Sequence, residues 1–370
     1  MTDWYEPGFR AGGPIRSCAN FTGNLKQDYD LYIFTGDRDF GDDAPYDSIP
    51  VNQWIEKEGY HILYAGPGTQ SYSAIRHHIS ELNPDFVYLN SLFSKNFTLY
   101  PLLMKRRGSI NAKLVLAPRG MLKDTALAFK KTKKTFFLRL FKWFGLHKPV
   151  LWQATDVQEK RDIETQFNGA EIVLAANFPP PVMTLVKPLE KISGQLNILF
   201  VGRIHPIKNL HVVIEALLPL KGDILFSIVG SMEDANYWEQ CKDLVSKLDS
   251  SVKTEWLGEC PHHAIQAVYE RSHIFALPTK GENFGHAIFE ALSAGKPVLI
   301  SDQTPWRNLA PAKAGWDLPL NDVNAFTNAL NLALQWNQDE YDQWSQAAWN
   351  FARRSVDLNG LKSLYSKIFS

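Results

Sequence analysis

The chain has 370 residues, 45% of them hydrophobic and 21% charged, and its 39 basic residues balance its 39 acidic ones. This length exceeds what one hydrophobic core usually supports, so two domains are expected, and the zero net charge argues against a nucleic-acid binder. The three cysteines lack metal-binding spacing, and no apolar run reaches the roughly 18 residues that a membrane span needs, so we expect a cytoplasmic protein without disulfides.

Strand and helix patterns alternate along the chain, which is typical of parallel sheets covered by helices. In the first half, strands are predicted near 31–35, 61–65, 86–90, 113–117, 150–154 and 172–175. In the second half, strands are predicted near 197–201, 224–229, 253–257, 274–277 and 298–300, alternating with helices near 210–218, 236–248, 262–271, 285–294 and 323–336. The predicted fold class is α/β, with two doubly wound, Rossmann-like domains.

The domain bounds follow from a proline-rich segment, 177–194, which interrupts this pattern and is predicted to be a linker. We place an N-terminal domain at 1–180 and a C-terminal domain at 195–338. Two helical stretches within 339–370 follow the second sheet. We expect these helices to pack back toward the first domain.

The segment 281–297 reads GENFGHAIFEALSAGKP and is predicted to lead from a loop into a helix. Asn283, Phe284 and Gly285 fall at the start of this helix, where unpaired N–H groups and the helix dipole favour an anion such as a diphosphate. His286 lies in the first turn, so it is a candidate to bond a phosphate or a sugar. Helix packing is the alternative role for this histidine.

Two glutamates, Glu282 and Glu290, flank the predicted start of that helix. Glu290 lies about one and a half turns into the helix, and helical side chains lean toward the N-terminus, so its carboxylate can reach a ribose diol held there. Glu282 precedes the helix and would face the group attached to the far phosphate. The alternative is that both are ordinary exposed acids.

A second loop, GRIHPIKNL, starts at Gly202 after the strand predicted at 197–201. Gly202 is expected to form a tight turn, and Arg203 and Lys208 flank the loop. Because ligands of open α/β sheets bind at the carboxyl ends of strands, these two cations form a candidate diphosphate clamp. Gly230, in the V-G-S that ends the next strand, would let a ligand approach the backbone. The alternative is a pair of solvated surface cations.

In this order and spacing, the motifs G-R-x4-K, V-G-S and E-N-F-G-x4-E resemble the donor half of the retaining GT-B glycosyltransferases, specifically glycosyltransferase family 4. The resemblance is close over 197–320. In the first half, PGFRAGGPIRS at 7–17 and APRG at 117–120 resemble the exopolysaccharide and lipopolysaccharide branch, as does SDQTPW at 301–306. The resemblance implies two Rossmann-like domains that face each other across a cleft, the first binding the acceptor and the second the nucleotide-sugar donor.

The resemblance also implies roles for the matching residues of the second domain. Arg203 and Lys208 would bind the donor diphosphate, Glu290 the ribose, and Glu282 the donor sugar. The backbone of 283–285 would hold sugar hydroxyls and phosphate.

The remaining donor contacts that the resemblance implies lie elsewhere in the chain. Gly12 and Gly13 would form a loop against the diphosphate. The base is expected near Trp256, Leu257 and Gly258.

Two features depart from the family pattern. Only 1–6 precede the glycine-containing loop, so the first strand is expected to be very short or missing. Arg119 stands where many members carry a histidine, and we expect it to contact the sugar or an acceptor phosphate. The alternative is a structural arginine at a strand end.

The expected reaction is therefore the retaining transfer of a hexose-type sugar from a UDP- or GDP-linked donor to a saccharide or polyprenyl-linked acceptor, in surface polysaccharide synthesis. No cofactor and no metal are expected. Because no side-chain nucleophile is evident, we expect a front-face displacement in which the protein stabilises charge on the departing diphosphate. An epimerase of GT-B fold and a non-catalytic nucleotide-sugar binding protein are the alternatives.

Asp37-Arg38-Asp39 has the D-x-D pattern of metal-dependent glycosyltransferases, and its metal-binding role is a further alternative.

The segment 123–148 carries eight basic residues against one acid, Asp124, with aromatic residues interleaved. A basic, aromatic, amphipathic segment suits an anionic membrane surface, here the inner face of the membrane near a lipid-linked acceptor. The alternative is a solvated basic face with the aromatic residues in the core.

Overall fold

The computed structural model describes residues 1–128, 131–185 and 188–370. The chain divides into two compact units. The first comprises Met1–Phe178 with Asp357–Ser370, and the second comprises Pro179–Val356. Of the segment predicted as a linker, Val186 and Lys187 lie outside the described residues.

The helices and strands alternate throughout both units. The strands are β1 (Tyr32–Gly36), β2 (Trp54–Lys57), β3 (Tyr60–Ala65), β4 (Phe86–Asn90), β5 (Lys113–Ala117), β6 (Val150–Ala154), β7 (Glu171–Leu174), β8 (Gln195–Val201), β9 (Asp223–Val229), β10 (Val252–Gly258), β11 (Ile274–Leu277), β12 (Val298–Ser301) and β13 (Gly315–Leu318). The helices are α1 (Gly13–Leu25), α2 (Tyr72–Leu82), α3 (Tyr100–Arg106), α4 (Asp124–Ala128), α5 (Lys131–Trp143), α6 (Val157–Gln166), α7 (Leu210–Leu217), α8 (Ala235–Val245), α9 (His262–Glu270), α10 (His286–Ser293), α11 (Val323–Gln335), α12 (Gln338–Arg354) and α13 (Leu358–Ile368).

The sheets confirm the predicted α/β class. The predicted strands agree with those observed to within about two residues, but β2 and β13 were not predicted. β2 is a four-residue strand antiparallel to β3, and β13 is a four-residue strand at the edge of the second sheet. β11 (IFAL) is equally short but wholly apolar, whereas β2 (WIEK) ends in two charged residues and β13 (GWDL) contains glycine and aspartate, so neither shows an apolar run or a clear alternation.

In the first unit, the strand order is β1-β3-β2 in one sheet and β4-β5-β6-β7 in another. The chain segment 1–3 lies between them. The N–H of Thr2 donates to the carbonyl of Phe34 of β1 at 3.1 Å, and the N–H of Asn90 of β4 donates to the carbonyl of Met1 at 3.0 Å. In place of the short strand expected before the glycine-containing loop, the segment 1–3 forms an isolated parallel β-bridge between Thr2 and Asn90.

The second unit holds one six-stranded parallel sheet in the order β10-β9-β8-β11-β12-β13. From β8 the chain moves outward to β9 and β10, and then crosses to β11 on the other side of β8. The strand order therefore reverses between β8 and β11. In open α/β sheets, ligands bind at the carboxyl ends of the strands at such a switch point.

The two C-terminal helices belong to different units. Tyr341 and Ala348 of α12 are fully buried in the core of the second unit. Tyr365 and Ile368 of α13 are buried against Phe21 of α1 in the first unit. We predicted that both helices return to the first domain, but only α13 belongs to it, because the apolar face of α12 completes the second core.

Across the described residues, every helix is too short or too polar to span a bilayer.

Candidate functional site

The loops that follow β8 and β11 are joined at the switch point of the second sheet. The N–H of Lys280 donates to the carbonyl of Ile207 at 2.8 Å, and the hydroxyl of Thr279 donates to the same carbonyl at 3.2 Å. The Asn209 amide donates to the carbonyl of Pro278 at 2.9 Å. These bonds hold the loop 202–209 against the loop 278–285. Asn209 and Thr279 were not predicted as site residues, because neither pattern nor spacing marks a residue that joins two loops.

Lys208 and Glu282, one from each loop, form an ion pair. Lys208 Nζ lies 2.5 Å from Glu282 Oε1, and the two side chains are 17% and 15% exposed. The ammonium group has three N–H donors, so one carboxylate oxygen does not exhaust it. The structure therefore brings Lys208, which is predicted to bind the diphosphate, into contact with Glu282, which is predicted to bind the sugar.

Arg203 extends from the same loop but points toward solvent. Its Nη1 donates to Glu233 Oε2 at 2.6 Å, and its side chain is 41% exposed. Among the described residues, Arg203 makes no ion pair or hydrogen bond with Lys208 or Glu282. An exposed pair of this kind contributes little to stability, so Arg203 can exchange Glu233 for another anion at small cost. No sequence signal pointed to Glu233.

The helix α10 starts one residue after Gly285. Gly285 has φ 80° and ψ 58°, in the left-handed region, and no side chain in the described part of the chain caps this helix start. A Cβ on Gly285 would lie 3.0 Å from Ile288 Cδ1 and 3.2 Å from Trp306 Nε1. Trp306 also donates its indole N–H to the carbonyl of Phe284 at 2.6 Å. The left-handed backbone and the tight packing therefore both favour glycine here, and Trp306, within the recognised SDQTPW motif, supports the loop.

Glu290 is buried in α10, with only 5% of its surface exposed. The Tyr269 hydroxyl donates to the carbonyl of Ala287 at 3.1 Å and lies 3.5 Å from Glu290 Oε2. Burial, and then the neighbouring carboxylate, raise the pKa of Tyr269 well above its usual value, so the phenol remains a donor. The alternative that Glu282 and Glu290 are ordinary exposed acids is wrong.

The two other residues predicted at this helix start have different surroundings. Asn283 is half-buried in the loop. His286 is buried, and its ring centroid lies 4.8 Å from that of Phe284. His286 thus packs against Phe284, as its alternative role predicts. A hydrogen bond from His286 to a ligand stays a prediction.

The glycine at Gly230 has a structural cause. Its φ is 146°, and a Cβ there would lie 2.0 Å from the carbonyl oxygen of Gly202. We attributed this glycine to the approach of a ligand, but the neighbouring chain already leaves no space for a side chain. Gly202 itself is fixed by its N–H, which donates to the carbonyl of Val229 at 2.9 Å.

Leu257, predicted near the base, lies at the end of β10 and is 39% exposed. It lines a cavity of about 160 Å³ together with Leu199, Ser227 and Val268. The neighbouring Trp256 donates its indole N–H to the carbonyl of Gly230 at 3.2 Å.

In the first unit, Gly12 and Gly13 form the start of α1. Gly12 has φ 64° and is the residue before the helix, and Gly13 is its first residue. The Asp39 carboxylate accepts from the N–H groups of Phe9 and Arg10, at 2.7 and 3.1 Å, and so fixes the loop that leads to Gly12.

Asp39 is the last residue of the D-x-D motif, so part of that motif has a structural use. Asp37, the first residue, accepts from Arg38 Nε at 2.9 Å and is buried. Within 1–128, 131–185 and 188–370, no three His, Cys, Asp or Glu side chains lie close enough to hold a metal ion.

Arg119 follows β5 and has a left-handed backbone, with φ 54°. Its Nη2 donates to Asn90 Oδ1 at 2.8 Å and to the Tyr88 hydroxyl at 2.9 Å. Tyr88 in turn donates to Gln153, whose amide donates to the Tyr365 hydroxyl of α13 at 2.7 Å. This network supports the structural alternative for Arg119, at the end of a strand.

Residues 184–351 match the sequence family described as Glycosyl transferases group 1. The structure resembles that of sucrose-phosphate synthase from Thermosynechococcus elongatus, with a TM-score of 0.70 and 16% identity over 96% of this chain and 91% of the other. The chain has the GT-B fold, and its residues 184–351 are similar in sequence to the group 1 glycosyl transferases.

Two curated relatives extend the likeness at the level of sequence. The O-antigen chain mannosyltransferase B of Escherichia coli is 30% identical over 209 residues, which are 50% of this chain and 52% of the relative. The GDP-mannose-dependent alpha-mannosyltransferase of Mycolicibacterium smegmatis is 34% identical over 158 residues, 42% of this chain and 37% of the relative. The chain thus spans about half, or less, of the length of these relatives. The matched region 184–351 contains both loops of the candidate site.

Proposed function

We propose that the protein is a retaining glycosyltransferase of family 4 that transfers a hexose-type sugar from a nucleotide diphosphate sugar. The observation that carries this proposal is the Lys208–Glu282 pair, held at 2.5 Å beside the start of α10 and at the switch point of the sheet. A cation and a carboxylate at this point suit the two ends of the bond that breaks, the diphosphate and the sugar. Two further observations support glycosyl transfer. They are the similarity of residues 184–351 to the group 1 glycosyl transferases and the GT-B fold.

In the proposed reaction, the bond between the anomeric carbon and the diphosphate oxygen breaks. The bond from this carbon to the acceptor oxygen forms on the same face, and the acceptor proton passes to the departing diphosphate. Lys208, Arg203 and the N–H groups at the start of α10 stabilise the negative charge that develops there. Glu282 orients the sugar.

The same arrangement supports a contact between Glu290 and the ribose, and a reaction that needs no metal ion. Glu290 is buried one and a half turns into α10, and its carboxylate accepts hydrogen bonds from the ribose hydroxyls. Because fixed cations take the charge of the leaving group, the reaction proceeds without a metal ion.

The acceptor is proposed from the relatives. One relative is named for the O-antigen chain and another for GDP-mannose. We therefore propose a saccharide or lipid-linked saccharide acceptor in surface polysaccharide synthesis, and both GDP- and UDP-linked donors are to be tested.

The first test is a thermal-shift screen of GDP- and UDP-sugars, because a donor that binds only the native state raises the unfolding temperature. The donor that stabilises the protein is then incubated with lipid-linked and free oligosaccharides, and the transfer of labelled sugar is measured. Removing one charge-stabilising donor costs roughly 3 kcal/mol of barrier, so Arg203→Ala should reduce turnover about a hundredfold. An unchanged rate would remove Arg203 from the clamp.

The alternatives give other results in the same assays. An epimerase would convert the donor in the absence of acceptor, and a binding protein would be stabilised by the donor without releasing the nucleotide. EDTA should leave transfer unchanged. Loss of transfer in EDTA with recovery in manganese would overturn the metal-independent mechanism.

A further inference from the structure

The helix α5 in the first unit exposes large apolar side chains in a single stripe. Trp143 is 77% exposed and Phe136 is 64% exposed, and Leu140 and Phe144 are also exposed. Residues four, seven and eight positions apart fall on one side of a helix, so the stripe continues from Phe136 to Phe144 in the turn after α5. An exposed apolar patch with polar borders marks an interaction site.

This exposure is fixed by the packing on the opposite side of the helix. Leu138 and Phe141 of α5 are buried in the core of the first unit. Turning the helix to hide Trp143 would take both residues out of the core. The alternative that the aromatic residues of 123–148 all lie in the core is therefore wrong for Phe136 and Trp143, whereas Phe129 and Lys130 lie outside the described residues.

Basic side chains border the stripe on both sides. Lys133 and Arg139 of α5 are exposed, and among the described residues neither makes an ion pair. Lys131, Lys142 and Lys148 are exposed as well. Because the whole chain has a formal net charge of zero, this excess of positive charge is local.

One further cation, Arg106 at the end of α3, lies near the turn after α5. Arg106 Nη1 lies 3.3 Å from the position of a Cβ on Gly145, which follows α5. Arg106 and Arg107 are both exposed at the end of α3. Arg106 thus adds one cation near the turn that carries Phe144, whereas Arg107 lies over the Tyr72 ring of α2.

We propose that this surface of α5 binds an anionic lipid bilayer. Trp143, Phe136 and Leu140 would insert at the boundary between headgroups and acyl chains, and Lys133 and Arg139 would contact acidic headgroups. A nucleic acid would match the cations, but it would leave a continuous apolar stripe facing water or phosphate. The apolar stripe therefore favours the bilayer.

The proposal is tested by flotation of the full chain with vesicles of phosphatidylcholine, with and without phosphatidylglycerol, at low and high salt. We expect flotation with phosphatidylglycerol at low salt and release at high salt, because surface charges are screened. The double variant Phe136→Ser/Trp143→Ser should lower the partition coefficient more than about tenfold. The double variant Lys133→Glu/Arg139→Glu should lower it by at least about tenfold and weaken its salt dependence.

Two matched controls lie in the second unit. Leu332→Ser removes an exposed apolar side chain from α11, and Lys253→Glu reverses an exposed charge on β10. Both should leave flotation unchanged. Circular dichroism and the unfolding temperature of each variant establish that it is folded.

Several outcomes would overturn the proposal. The wild type would fail to float at low salt, or the control variants would lose as much flotation as the test variants. Tighter binding to an oligonucleotide than to vesicles would also overturn it, as would a dimer in sedimentation that Trp143→Ser dissociates. Flotation is measured without donor or acceptor, so it does not depend on the proposed transferase activity. If the transferase proposal fails, the membrane proposal still stands, and the reverse is also true.

Discussion

Lys208 and Glu282, separated by 74 residues in sequence, form a partly buried ion pair with a distance of 2.5 Å. The pair links the loops after two adjacent strands, and hydrogen bonds from Asn209 and Thr279 hold the same loops together. A lysine held by a carboxylate at this point has a fixed position before any ligand arrives. Such preorganisation is what charge stabilisation in a transition state requires.

The pair should be energetically coupled in the ligand-free protein. Removing one partner leaves a partly buried charge unpaired, so the double variant Lys208→Met/Glu282→Gln should lose less stability than the sum of the losses of the two single variants. Urea unfolding of the two single variants and the double variant should give a coupling of about 1–3 kcal/mol. The exposed Arg203–Glu233 pair is the control and should couple by less than about 1 kcal/mol. Equal coupling in both pairs would contradict the special position of Lys208.

The two glutamates should affect different kinetic constants. Glu290→Gln should raise KM for the donor by roughly 10- to 100-fold with a small change in kcat, because ribose binding is equal in the ground and transition states. Glu282→Gln should lower kcat instead. Steady-state rates with varied donor check both, and Glu239→Gln, on an exposed part of α8, is the control. A fall in kcat alone for Glu290→Gln would disprove its assignment to the ribose.

A side chain at Gly285 should lower the stability of the protein. The φ of 80° at Gly285 disfavours other residues, and a Cβ would lie 3.0 Å from Ile288 Cδ1. Gly285→Ala should lower the free energy of unfolding by about 1–3 kcal/mol. Ile288→Val removes the Cδ1 atom that this Cβ would meet, so Gly285→Ala in the Ile288→Val background reports the backbone strain without that contact. If Gly285→Ala loses equal stability in both backgrounds, the contact with Ile288 contributes nothing.

Arg119 has two possible roles that give different results. Its bonds to Asn90 and Tyr88 predict that Arg119→Lys lowers the free energy of unfolding by about 1–3 kcal/mol, because an ammonium group cannot reproduce the guanidinium geometry. Tyr88→Phe should have a similar effect, since it removes one partner and leaves the arginine. Unchanged stability together with a large loss of turnover would instead support the contact with sugar or acceptor predicted from the sequence.

The stability of the second unit should depend on pH through His273. Burial lowers the pKa of His273 to about 4. Its Nδ1 accepts from the N–H of Asn197 at 2.8 Å, and Lys191, Lys296 and Tyr341 surround the ring. A protonated ring would lose this acceptor.

The sign of the pH dependence follows from the lowered pKa. Below the unfolded-state pKa of about 6.5, the unfolded chain binds a proton that the folded chain does not. The contribution of neutral His273 to the free energy of unfolding is therefore complete above about pH 6.5 and is lost as pH falls toward the folded-state pKa of about 4. His273→Gln should flatten the curve of unfolding free energy in this window by up to about 3 kcal/mol relative to the wild type. His77→Gln, at an exposed site, should leave the curve unchanged.

Some parts of the site were visible in the sequence because they depend on local structure. The start of α10 is marked by Gly285 and by the apolar spacing after it, both of which are properties of a short segment. The position of Arg203 and Lys208 after a strand follows from the alternation of strands and helices. The family resemblance rests on these same local patterns.

Other parts depend on residues that are distant in the chain. The glycine at Gly230 is explained by the carbonyl of Gly202, and Asp39 is explained by the backbone of Phe9 and Arg10. Neither partner can be inferred from spacing. The exposure of Trp143 likewise depends on which side of α5 the core of the first unit covers.

By itself, the sequence determined the α/β class, the succession of strands and helices, and the segments that carry candidate ligands. These features follow from hydrophobic periodicity and turn residues, which act over a few positions. Only the tertiary structure decided that Lys208 contacts Glu282, that Glu290 is buried, that Arg203 pairs with Glu233, and that α12 and α13 belong to different units. These features arise from the order of strands in the sheet and from the packing of cores, where distant segments meet.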